Sequence, residues 1–108
     1  MTSLTAVSVL IPLQPNRTAT IVNANEDRRI LTIYNGAASP LSIGVHYDES
    51  GKLDTFFATI APRTIYQLPI TPDGAIYTGA IYALAPVAGR VHCTEFINLV
   101  LPEEPSAP

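Results

Sequence analysis

Ten prolines are spread along the 108-residue chain, and this distribution restricts the fold more than any other feature. A proline inside a helix removes a hydrogen bond and clashes with the preceding turn, costing about 3 kcal/mol. The windows between the prolines are rich in Val, Ile, Thr, Tyr and Phe rather than in Leu, Glu, Lys and Ala. β-branched and aromatic side chains fit a pleated, half-buried surface, so the chain reads as all-β.

The strands follow from the punctuation. Residues 4–11 form the first, apolar on both faces and stopped by Pro12, and residues 17–22 give a short second run. Asn23, Ala24, Asn25, Glu26 and Asp27 are turn chemistry with room for one helical turn. Residues 29–34 make a strand that closes at Asn35-Gly36, a strong turn dipeptide, and Pro40 ends the loop. The clearest alternation is LSIGVHY, where Leu41, Ile43, Val45 and Tyr47 share one face and Ser42, Gly44 and His46 the other. Strands over 53–60 and 63–68 come next, separated by Ala61-Pro62. After Asp73-Gly74, residues 75–84 form a strand with Gly79 as a bend or bulge, and residues 90–101 form a long last strand. Its inward row is expected to be Val91, Cys93, Ile97, Leu99 and Leu101. About eight short strands at roughly ten-residue spacing predict an antiparallel β-sandwich or jelly roll. The expected organisation is one domain over residues 1–101 and an extended Pro-rich tail over 102–108.

Ordering a chain of this length costs on the order of 150 kcal/mol of conformational entropy. With 47% hydrophobic and 14% charged residues, the apolar supply is ample and disorder is disfavoured. The same numbers leave few charges to solvate the surface, so part of it is expected to be covered, most simply by copies of the chain. Six Lys plus Arg residues, scattered at a net charge of −3, form no stripe for a phosphate backbone, so nucleic acid is not an expected partner. No apolar run reaches the length of a membrane span. The first cationic residue is Arg17, too late for the basic start of a signal peptide, and a cytosolically made protein is expected. Cys93 is the single cysteine, which fits a reducing compartment and excludes an intrachain disulfide. The sequon Asn16-Arg17-Thr18 then reads as chance.

Few residues could carry chemistry. Cys93 and His92 are neighbours on one strand and so point to opposite faces; with Cys93 in an apolar row, a buried structural thiol is expected. His46 and His92 could meet across adjacent strands, but without a third ligand they read as rim histidines rather than a metal site. The run from Asp48 to Asp54 loosely resembles a calcium loop, yet it lacks regular ligand alternation and contains Lys52; a solvated hairpin turn is expected. No catalytic residue, cofactor or metal is assigned, and the chain reads as non-enzymatic. Glu95 stands out because it interrupts the apolar row of the last strand. Either it pairs with Arg28 or Arg29 and pins two strands together, or a bulge near Thr94 turns it to solvent.

The stretch IVNANEDRRILTIYNGAASPLSIG over residues 21–44, followed by YTGAIYAL and GRVHCTEF, resembles a pattern in small virion proteins of tailed bacteriophages. An Asn-rich turn leads there into Arg and an apolar strand. An Asn-Gly turn then precedes a strand of the PLSIG kind, and a Glu-containing strand comes near the end. The pattern covers most of the chain after about residue 17, and it is diffuse. The resemblance implies a β-sandwich virion component: a capsid decoration or cement protein on the head, or a module of the head–tail or fibre apparatus. Such proteins act as homo-oligomers, commonly trimers, that bridge subunits of the major capsid protein. Leu4, Val7, Val9 and Ile11 of the first strand, with Pro102 and Pro105 of the tail, are the expected contact residues. The alternative is a carbohydrate- or receptor-binding module of a fibre or tail, for which the chain has five Tyr but no Trp.

Overall fold

The computed structural model describes residues 2–51, 53–69 and 75–100. These contain eight strands: β1 (Thr2–Leu13), β2 (Ala19–Val22), β3 (Arg28–Asn35), β4 (Leu41–Tyr47), β5 (Leu53–Ile60), β6 (Ile65–Leu68), β7 (Ile81–Leu84) and β8 (Gly89–Val100). They form two four-stranded sheets, β1-β8-β3-β6 and β2-β7-β4-β5, here sheets A and B. The pairs β1·β8, β2·β7, β3·β6 and β4·β5 are nested and antiparallel, and β3·β8 and β4·β7 join them side by side. The chain is thus one long hairpin wound over itself, the jelly-roll arrangement of an all-β sandwich.

Alternation places the core between the sheets. Leu31 and Ile33 of β3 and Val91 and Cys93 of β8 face inward from sheet A, and Leu41, Ile43, Ile81 and Ala83 meet them from sheet B. All eight are buried, and they belong to one apolar cluster. Each loop between the sheets must satisfy its backbone without a ladder. At the end of β3 this falls to Asn35, whose amide is fully buried: Nδ2 donates to the carbonyls of Ser39 and Ile60, and Oδ1 accepts from the Ala37 amide. Asn35-Gly36 is therefore more than a turn dipeptide. A Cβ on Gly36 would lie 2.7 Å from the Arg90 carbonyl oxygen, so only glycine admits this approach.

Several sequence expectations are corrected. Pro12 does not stop β1, which runs on to Leu13; on an edge strand a missing N–H can face solvent. Within residues 75–84 only Ile81–Leu84 is strand, and β2 and β6 are shorter than expected at four residues each. The alternation of β4 fails after Gly44: Leu41 and Ile43 are buried, but Val45 and Tyr47 are exposed. Register shifts between β4 and β5 at Ile43/Gly44, Gly44/His46 and His46/Tyr47 reset the facing. Gly44 allows this because a Cβ there would overlap the backbone of β5 at Thr55. In the last strand Val91 and Cys93 are buried and Ile97 is partly so, while the side chain of Leu99 and the whole of Leu101 lie outside the described residues. The tail over 102–108, with Pro102 and Pro105, also lies outside them.

Candidate interaction surface

Glu95 faces inward from β8 in the row of Val91 and Cys93, opposite Leu31 of β3 and Val7 of β1. Its Oε2 accepts a hydrogen bond from Arg28 Nε at 2.8 Å. Of the two alternatives for Glu95 the ion pair is the one present, with Arg28, and Arg29 has no part in it. Parity alone would choose Arg29, since Leu31, Ile33 and Asn35 are the inward residues of β3. A register shift between Arg28 and Ile30 against β8 reverses the facing, so that Arg28 is buried and Arg29 exposed. Arg29 lies instead beside Asn98, whose carboxamide oxygen, oriented to satisfy both groups, accepts from Nε at 2.6 Å and Nη2 at 2.8 Å. The bulge lies in β3, whereas the register of β1 against β8 is unbroken through Thr94.

The Arg28 guanidinium makes three more bonds: Nη1 donates to the carbonyls of Tyr77 at 2.7 Å and Gly79 at 3.0 Å, and Nη2 to that of Asn23 at 2.6 Å. A buried charge is tolerable only when paired and hydrogen-bonded, and Arg28 meets both conditions. It fastens sheet A to the segment that leaves β2 and the segment that enters β7, two neighbouring strands of sheet B. This is a structural clamp.

Beside the clamp the sandwich is open. β1 and β2 are edge strands of the two sheets, but β1 outruns β2 by eight residues, about 26 Å of strand. Leu13 is therefore buried and Ile11 packs partly against the core, while Val9 is 49% and Val7 43% exposed. The other face of β1 is open too, with Leu4 at 56% and Leu10 at 55%. Between this strand and β2 lies a cleft of about 170 Å³, lined by Val7, Val9, Ile11, Val22, Cys93 and Glu95 among others. Large apolar side chains exposed on both faces of an uncovered edge strand are the mark of a contact surface.

The remaining candidates are dispersed. His46 on β4 and His92 on β8 lie in different sheets and do not meet, and both are exposed, as expected of rim histidines. Cys93 is buried, and that burial pushes its thiol from 9.0 up to about 12; Glu95 adds to the rise and Arg28 opposes it. Asp48 closes a turn, its Oδ1 accepting from the Ser50 amide at 3.0 Å and hydroxyl at 2.6 Å, with Gly51 at a φ of 84°. Among the described residues no three His, Cys, Asp or Glu side chains are grouped to hold a metal ion. At the far edges of the sandwich Phe56, Phe57 and Ile65 are exposed, and Phe57 contacts the Tyr66 ring across the sheets. The sequence reading missed this aromatic patch and Asn35. Asn35 was findable, because it continues the inward row of Leu31 and Ile33.

No protein-family model, curated protein or solved structure matches the chain. The likeness to phage virion proteins therefore rests on the sequence pattern alone.

Proposed function

We propose that the protein is a non-enzymatic structural component of a phage virion. Its most specific form is a capsid decoration protein, made in the host cytoplasm, that binds the major capsid protein as a homo-oligomer. The observation that carries this reading is β1, a twelve-residue edge strand with Leu4, Val7, Val9 and Leu10 open to solvent. A homo-oligomer that binds the assembled shell and not its free subunits stabilises the shell by mass action. Jelly-roll sandwiches serve in viral coats, and also in sugar-binding proteins, so the fold is compatible with the reading without choosing it. Purified protein should co-sediment with expanded empty heads and raise their thermal stability; absence of binding overturns the proposal.

A second reading has its own observation. Tyr47 and Tyr82 stack edge to face at 4.8 Å beside Thr18 and Thr20, around a hollow of about 240 Å³. Aromatic rings next to hydroxyls are the elements of a sugar platform. Saturable binding on a glycan array, abolished by Tyr47→Ala, would favour this reading over decoration.

A further inference from the structure

We infer that β1 pairs antiparallel with β1 of a second copy across a two-fold axis, joining two A sheets into one continuous eight-stranded sheet. The inference rests on the assembly reading above and names the occupant of the same surface.

The four sheet edges differ in how far they are protected. β6 is four residues long and lies between Pro62 and Pro69. β2 is equally short and shifts register between Thr20 and Val22. β5 shifts three times against β4. Short length, proline and bulges are the devices that stop an edge from recruiting another strand. β1 has none of them before Pro12: its twelve residues keep one unbroken register from Thr2 opposite Val100 to Leu13 opposite Gly89. It also contains no charged residue.

These properties select the occupant. The outer backbone of β1 needs a partner strand of similar length, and the other edge strands are four or eight residues long. A second β1 matches it in length and meets it without like-charge repulsion. A two-fold axis perpendicular to the sheet makes neighbouring strands antiparallel and keeps the inner faces on one side. Each row of side chains then meets its own kind. With the axis at Val7, Leu4 stands opposite Leu10 of the second copy and Val7 opposite itself, so the two most exposed apolar residues of β1 cover each other.

Sedimentation equilibrium on the full chain tests this without any capsid, so its outcome is separate from that of head binding. Twice the 11.6 kDa chain mass is expected at micromolar concentration. Val9→Lys on the inner face and Leu10→Lys on the outer face should each weaken the dimer at least a hundredfold, with circular dichroism unchanged, while Phe56→Lys at a far edge should leave it intact. Val7→Cys should form a disulfide-linked dimer on mild oxidation, because residues directly opposed across antiparallel strands lie within disulfide range. The buried, high-pKa Cys93 does not compete. A monomer, a trimer, or a dimer broken by Phe56→Lys and indifferent to both β1 variants overturns the inference.

Discussion

β3 and β1 both pair with β8, one on each side, yet their side chains have opposite fates. β3 carries two charged residues and an asparagine, and its inner row is buried, down to Arg28 and Asn35 at its ends. β1 is uncharged and more apolar, and it is exposed on both faces over most of its length. Burial here is decided by what lies across the sandwich, because β3 sits beneath sheet B while β1 projects beyond a four-residue β2. Hydrophobic sequence thus marks a residue as needing cover without saying which molecule provides it.

The contrast can be broken most forcefully at the clamp. Arg28→Ala strands Glu95 and three carbonyls, and removing one partner of a buried pair costs roughly 3–5 kcal/mol, to be read from denaturant unfolding. Glu95→Gln keeps an acceptor for Nε and should cost less than Arg28→Ala while still lowering the melting temperature.

The next effect is on reactivity. Cys93 should alkylate at pH 8 roughly a hundredfold or more slowly than the unfolded chain, followed by mass spectrometry. Its folded pKa is raised, so the associated stability is complete below pH 9 and is lost as pH climbs through about 12. Asn35→Ala leaves the carbonyls of Ser39 and Ile60 and the amide of Ala37 short of a partner, for a loss of about 1–3 kcal/mol. Smallest of all, Val9→Thr on the open strand should change unfolding of the dilute protein by about 0.5 kcal/mol or less. A large loss there would mean that β1 is covered within the single chain after all.

Strand identity was legible because it depends on local composition: β4 and β5 were read to their exact ends, and β3 and β8 to within a residue or so. Facing was harder, since one inserted residue inverts it. The bulge at Arg28/Ile30 leaves no local mark, so Arg28 could not be separated from Arg29; the shifts around Gly44 are marked only by that glycine, and taking it as an ordinary strand residue puts Val45 and Tyr47 in the wrong row. Glu95 was recognisable as an anomaly in an apolar row; its partner depended on register. Composition called for uncovered apolar surface without locating it; its place along β1 follows from the shortness of β2, which depends on the tertiary arrangement.

Nested pairing also has a consequence for synthesis. Ser8 lies opposite Thr94, so β1 leaves the ribosome well before the strand that completes it exists. At typical elongation speeds that interval is roughly 4–17 s. During it, the most adhesive stretch of the chain is a loose greasy ribbon, open to neighbouring nascent chains on a polysome as much as to its own later half.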